Sequence, residues 1–219
     1  MIRFSSIGQG QHAQRHRLGS GNTHAVRRGQ ALDDAVRAED RPADAVTQQP
    51  IRAASPQDVP ALHALIERAY RGDSAKTGWT HEADLLDGQR TDAAMLSEML
   101  ADPLQHLLIA PGDAGPIGCV CVKRLDSGAG YLGLLTVDPK LQAAGLGRRL
   151  IAAAEDVARA WGATIMEMTV IAQRRELIDW YIRRGYTPTG ERRPFPHGDE
   201  RFGRARRDDL EFVVLNRSL

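Results

Sequence analysis

The stretch "VDPKLQAAGLGRRLIAAAEDVARAWG", residues 137 to 162, constrains the fold of this chain more than any other. An apolar strand ends at Pro139, crosses Gly145 and Gly147, and becomes a helix at once. The first-turn amides of such a helix have no intrahelical acceptor and converge on one place. Glycine lets the backbone approach a ligand closely, and the helix dipole favours an anion there. Leu146, Leu150, Ile151, Ala154, Val157, Ala158 and Trp161 share one stripe, so the helix has a face to bury. Arg148 and Arg149 put positive charge in a first turn where the dipole alone prefers acids. Taken by themselves, these residues also fit a plain strand-to-helix turn.

A second glycine cluster is a decoy. Gly128, Gly130 and Gly133 in "GAGYLG" spell G-x-G-x-x-G, but they open the strand-like run "YLGLLTV". A dinucleotide fingerprint must follow a strand and open a helix. These glycines are expected to form a hairpin turn.

At 219 residues the chain has room for one domain with an extension, and 42% hydrophobic residues suffice for a core. Twenty-nine Lys and Arg balance 28 Asp and Glu, so no overall field draws the chain to nucleic acid or a membrane. No apolar run approaches the roughly 20 residues of a membrane span. Cys119 and Cys121 stand two apart, too close for an unstrained disulfide and too few for a metal site. A reducing, cytoplasmic compartment and no metal are expected. Residues 1 to 48 read differently from the rest: the first 30 contain no acid, and the segment has no periodic apolar face. It is expected to be a disordered extension, or the product of a start codon assigned too far upstream. Residues 49 to 219 form the domain.

Within that domain the patterns alternate between periods of 2 and 3.6. "PIRAAS" is a short strand, and Ser55 followed by Pro56 opens a helix burying Val59, Leu62, Leu65, Ile66 and Ala69. A turn-rich stretch holding Trp79 follows, then a helix over residues 92 to 100. Three strand-like runs ("QHLLIA", "GPIGCVCVKRL" and "AGYLGLLTV") precede the long helix. After it come the strand "TIMEMTVIA", the helix "RRELIDWYIRR" stopped by Gly185, and the final strand "DLEFVVLNR". The order is βααβββαβαβ, a mixed α/β domain.

Three motifs in this order carry a resemblance. Val137-Asp138-Pro139, then Gln142-x-x-Gly145-x-Gly147, then Tyr181-x-x-x-Gly185-Tyr186 match in kind and spacing. Over residues 51 to 219 the chain resembles the GNAT acetyltransferases. The resemblance implies a central mixed sheet, splayed between two parallel strands and flanked by helices on both faces. It implies that acetyl-CoA is the co-substrate. Its pyrophosphate would rest on the amides of Gln142, Ala143, Ala144, Gly145, Leu146, Gly147 and Arg148, and its pantetheine arm would pair with the strand edge at Leu135, Thr136 and Val137. Tyr181 falls where the family places a hydroxyl near the sulfur, able to protonate the leaving thiolate. Packing on a helix face is the other reading of that tyrosine.

The departures from the family pattern matter as much. Many members carry Asn seven residues before the tyrosine; here that position is Arg174, which either meets the CoA phosphates or is solvated. Many also carry a Glu on the strand before the loop, and "YLGLLT" has none. Glu82 and Glu167 are the candidates for the missing base. Trp79, Thr80 and His81 would wall the acceptor pocket. Arg201, Arg204, Arg206 and Arg207 are expected to be neutralised by Asp208 and Asp209 rather than to bind an acid. The implied reaction is direct transfer to a primary amine, on a small molecule or a peptide, by a monomer or a homodimer. Cys119 and Cys121 are expected to lie away from the cleft. A non-catalytic acyl-CoA-binding module is the alternative. Nucleic-acid binding through the arginines is disfavoured by the near-neutral charge and the lack of interleaved aromatics.

Overall fold

In the computed structural model, residues 49–71, 82, 84–142, 145–197 and 203–219 are described. The expectations for residues 1–48, for Trp79, Thr80 and His81, for Ala143 and Ala144, and for Arg201 lie outside them.

The alternating runs become strands β1 (Arg52–Ala53), β3 (Gln105–Gly112), β4 (Gly115–Arg124), β5 (Gly130–Val137), β6 (Ile165–Ile171) and β9 (Glu211–Ser218). With β7 (Thr187–Pro194) they form one seven-stranded sheet in the order β1-β3-β4-β5-β6-β9-β7. The β5–β6 pair is parallel and every other neighbouring pair is antiparallel. Two-residue strands β2 (Leu86–Asp87) and β8 (Arg204–Ala205) pair separately. Gly128 closes the turn into β5 at φ 83°, and no helix follows. The hairpin reading of that glycine cluster holds.

Helices α1 (Val59–Tyr70), α2 (Ala93–Ala101), α3 (Leu146–Ala160) and α4 (Arg175–Ile182) cover the sheet. Strand β4 shows why both faces need cover. Cys119 and Cys121 face α1 and α2 with Leu62, Ile66, Leu96 and Ile109, while Val120 and Val122 face α3 with Leu150 and Ala154. A central strand buried on both sides reads as continuous hydrophobicity, as "IGCVCV" does. The stripe on α3 buries as expected, with Val157 and Trp161 at its margin. It also buries Glu155, which accepts hydrogen bonds from the Tyr186 hydroxyl (3.0 Å) and Arg217 Nη1 (2.9 Å). A buried charge survives only with such partners.

The start of α1 departs slightly from expectation. Pro56–Asp58 is a tight 3-10 turn, and the α-helix begins at Val59. Pro60 has no N–H to donate to the Pro56 carbonyl, so the Val59 N–H takes that carbonyl instead. Asp58 ties the junction together, accepting from Ser55 N (2.8 Å), Ser55 Oγ (2.7 Å) and both Arg52 terminal nitrogens. The Arg52 hydrogen bond, more than the Ser55 contacts, holds the Asp58 carboxyl well below the usual range, against the opposing effect of burial. A depressed carboxyl stabilises the fold above its unfolded-chain value, so the contribution is present at neutral pH and fades below about pH 4. Asp58→Ala is expected to cost about 1 kcal/mol, or roughly 3 °C in Tm, at pH 7. The difference from wild type should shrink in acid, which a pair of thermal melts at pH 7 and pH 3 would measure.

Strand β7 was not expected. "TPTGERRP" holds two prolines and a glycine, and it lies almost wholly exposed at the sheet edge. Its pairing to β9 breaks register between Pro188 and Arg192. An edge strand can afford prolines because one row of its backbone groups faces solvent.

Candidate active site

Parallel strands β5 and β6 part company almost at once. They are in register only at Gly130 with Met166 and Tyr131 with Glu167. Beyond that, β5 keeps β4 as its partner as far as Val137, and β6 keeps β9 as far as Ile171. From Leu132 onward the β6-facing edge of β5 carries no strand pairing among the described residues. A cavity of about 370 Å³ occupies the opening.

A bulge deepens it. Cys119 pairs with Thr136 and Cys121 with Gly133, so Leu134 and Leu135 together oppose Val120. Leu134 has φ 51°, the one non-glycine in the left-handed region among the described residues. A leucine held there stores strain, which concentrates at functional sites. The Tyr70 hydroxyl, arriving from α1, donates to the Leu135 carbonyl at 2.7 Å. That carbonyl keeps one lone pair for anything laid along the edge. Leu135 and Val137 line the cavity. Thr136 does not: it is buried, and its hydroxyl donates to the Leu134 carbonyl at 3.1 Å. Alternation along the strand turns it away from its two neighbours.

At the end of β5, the Asp138 carboxylate accepts from Lys140 N and is clamped by Arg68 at 2.7 Å. The short turn Pro139–Leu141 leads to Gln142, and Gly145 at φ 77° starts α3. Gln142, Gly145, Leu146, Gly147 and Arg148 line the cavity, so the helix N-terminus opens onto it. Gly147 has a second reason to be glycine. A Cβ there would lie 3.3 Å from the Trp180 ring carbons, because α3 and α4 approach each other at this point.

Tyr181 is 6% exposed, edge-on to Trp180 (5.0 Å) and Tyr186 (5.8 Å), and it lines the cavity. Burial drives its phenol well above the ordinary tyrosine value, and the nearby Tyr70 adds to this while Arg174 partly offsets it. The proton therefore stays on the oxygen throughout the neutral range.

Glu82 is the one carboxylate lining the cavity among the described residues. Arg71 Nη1 pairs with it at 3.1 Å, and Arg90 Nε and Arg174 Nη1 stand at 3.9 Å. Glu167 is not in the lining; its carboxylate accepts from Arg193 at 2.9 Å. Arg174 is not solvated: it is 8% exposed and faces the cavity.

Two further expectations are corrected. Cys121 lines the cavity instead of lying away from it, at the register shift where it pairs with Gly133. Burial pushes both thiols up to about 12, so at neutral pH neither supplies a thiolate nucleophile. In the arginine cluster, Arg207 pairs with Asp209 at 2.7 Å as expected, but Arg206 reaches Asp87 at 3.5 Å. Tyr70, Arg90 and Trp180 belong to the lining and were missed. A tyrosine ending the apolar stripe of α1 was the one signal available.

No group of three or more His, Cys, Asp or Glu suited to a metal occurs among the described residues, nor any helix long and apolar enough to cross a membrane. The arrangement offers an anion cradle, a free strand edge, a protonated phenol and a carboxylate within one cavity. Such a set can hold an anion at the helix N-terminus and an extended ligand along the strand edge, with a hydrogen-bond donor and a carboxylate beside them.

Comparison with known proteins gives a family and a fold. The model of the acetyltransferase (GNAT) family matches residues 61–186, which is 126 of the 219 residues. No curated protein matches. Among solved structures, Ard1 from Thermoplasma volcanium superposes with a TM-score of 0.58 at 15% identity, covering 78% of this chain and 97% of that one. The ribosomal-protein-S18-alanine N-acetyltransferase from Escherichia coli gives 0.55 at 16% identity, over 77% and 92%. Nourseothricin acetyltransferase gives 0.47 at 23% identity, over 53% of this chain and 66% of that one.

Proposed function

The chain belongs to the GNAT acetyltransferase family, and from that premise we propose that it transfers the acetyl group of acetyl-CoA directly to a primary amine. One observation carries the reading: the α3 N-terminus, the unpaired edge of β5 and the Tyr181 side chain all open on a single cavity. Each corresponds to a demand of the chemistry. The amides of residues 142 to 148 and the Arg148 charge suit a pyrophosphate. The edge at Leu135 and Val137 offers backbone groups to the amides of a pantetheine arm. Acetyl-CoA supplies the activated acyl group and a thiolate leaving group.

Tyr181 then acts at the sulfur. Its hydroxyl donates a hydrogen bond to the charge developing as the thiolate leaves. An acceptor ammonium must lose a proton before attack, and Glu82 is the carboxylate in the cavity that can receive it, directly or through water. Transfer proceeds in a ternary complex without an acyl-enzyme, consistent with thiols held near 12. A soluble protein of the reducing cytoplasm suits those free cysteines.

The test is thiol release from acetyl-CoA against a panel of primary amines, with mass detection of the acetylated product. Turnover on at least one amine is expected. Tight acetyl-CoA binding with no turnover on any amine would replace this reading with that of a non-catalytic acyl-CoA-binding module.

A further inference from the structure

On the acetyltransferase reading, we propose that the acceptor is an amine that also carries a carboxylate, an amino acid, whose carboxylate is held by Arg174 and Arg90. The observation behind it is a buried cation with a missing partner. Arg174 is 8% exposed, it faces the cavity, and its Nη2 has no hydrogen-bond partner among the described residues. Leaving one polar atom of a buried guanidinium unpaired is costly, and such an atom in a cavity marks where a ligand atom belongs.

The charges around it leave the same gap. Among the described residues, five cationic side chains line the cavity (Arg90, Lys123, Arg148, Arg174 and Arg184) against the one carboxylate of Glu82. Three of the five have evident roles. Arg148 belongs to the α3 cradle, Lys123 pairs with Asp102 at 3.3 Å, and Arg184 stacks on Trp180 at 3.4 Å. Arg90 and Arg174 remain, both 3.9 Å from a Glu82 carboxylate that is already engaged by Arg71 at 3.1 Å. Neither of the two reaches hydrogen-bonding distance of Glu82. Arg90 is held in place by its stacking over Tyr70 at 5.1 Å. One carboxylate shared among three guanidiniums leaves room for a second anion, and guanidinium forks suit a carboxylate.

Position argues that this anion is not the CoA pyrophosphate. The cradle belongs to α3 and one face of the sheet. Tyr70, Met95, Met99 and Cys121 mark the other face, and Arg90 and Glu82 stand with them, the Glu82 N–H directed at the Tyr70 carbonyl. Arg90 therefore faces the splay from the side opposite the cradle, and Arg174, at the N-cap of α4, points toward the same Glu82 carboxylate. An acceptor placed there meets guanidiniums with its carboxylate and Glu82 with its ammonium.

The experiment compares amino acids with their own carboxamides: the α-amino acids and the ω-amino acids of two to six carbons, as substrates with acetyl-CoA and as ligands in calorimetry with coenzyme A present. Amidation lowers the basicity of an α-amine and so favours the amide chemically, which makes preference for the acid a stringent sign of recognition. At least one acid should exceed its amide by about tenfold or more in kcat/KM and in affinity. Arg174→Met should bring that ratio near one while leaving the acetyl-CoA dissociation constant within about twofold. Arg90→Met is the second variant, should the first fail to fold. The proposal is overturned if no acid binds better than its amide, if the preference persists in both variants, or if Arg174→Met weakens acetyl-CoA instead. Should no amine be acetylated at all, the acetyltransferase reading fails, while the calorimetric comparison still decides whether the site takes a carboxylate.

Discussion

Tyr181→Phe is expected to lower turnover by at least about tenfold while leaving acetyl-CoA affinity and Tm nearly unchanged. The substitution removes one oxygen. The ring contacts with Trp180 and Tyr186 remain, and no protein group among the described residues accepts from the Tyr181 hydroxyl. The burial that raises the phenol also fixes its role. A phenol above its usual value of about 10 cannot fully protonate a thiolate whose conjugate acid lies near about 8.5 without going uphill. Its contribution is therefore a strong hydrogen bond to the departing sulfur, with the final proton coming from solvent. Hydrogen bonds to charged groups are worth roughly 1.5–3 kcal/mol, or about 10- to 100-fold in rate when made only in the transition state. Rates must be compared where chemistry limits turnover, with calorimetry and a thermal melt alongside. A Phe variant as fast as wild type would remove Tyr181 from the reaction; one that loses affinity or stability would assign it to packing.

The parts of this molecule legible in the sequence were those with a strong period or a strong turn. The apolar face of α1 buries Val59, Leu62, Leu65, Ile66 and Ala69 as its 3.6-residue spacing dictates. Gly145 marks the start of α3 because a left-handed residue is needed there. What stayed hidden depends on partners distant in sequence. Arg174 reads equally as a phosphate contact or as a solvated charge at a helix start, and only folding brings Glu82 and the cavity to it. The bulge at Leu134 sits in "YLGLL", where a leucine at φ 51° leaves no mark on the pattern. Cys121 sits beside that bulge, both in the core under α1 and α2 and on the cavity wall, and neither place is marked in its own run of apolar residues. Strand β7 was missed for the opposite reason: its prolines are strand-breaking signals everywhere except at an edge.

Gly147→Glu is expected to weaken acetyl-CoA binding by about tenfold or more with a modest change in Tm. Two effects act together. A carboxylate in the first turn of α3 meets the diphosphate with like charge, and two unit charges about 6 Å apart at an effective dielectric of about 20 repel by about 3 kcal/mol. Solvent screening at the open end of the cavity reduces that, which leaves tenfold as the lower expectation. The second effect is steric. The new Cβ stands 3.3 Å from Trp180 Cη2 and Cζ2, so the indole must shift by a few tenths of an ångström. Trp180 carries Arg184 on its face and Tyr181 against its edge, so the shift reaches the hydroxyl proposed to hydrogen-bond the departing sulfur. The helix itself gains, since any residue but proline is a better helix former than glycine, and an acid in a first turn suits the dipole. Gly147→Ala separates the two effects because it brings the Cβ without the charge. If the cradle holds the diphosphate, calorimetry should find acetyl-CoA affinity nearly kept in Gly147→Ala and lost in Gly147→Glu. Equal losses in both would trace the effect to the displaced indole, and unchanged affinity in Gly147→Glu would move the diphosphate away from the α3 N-terminus.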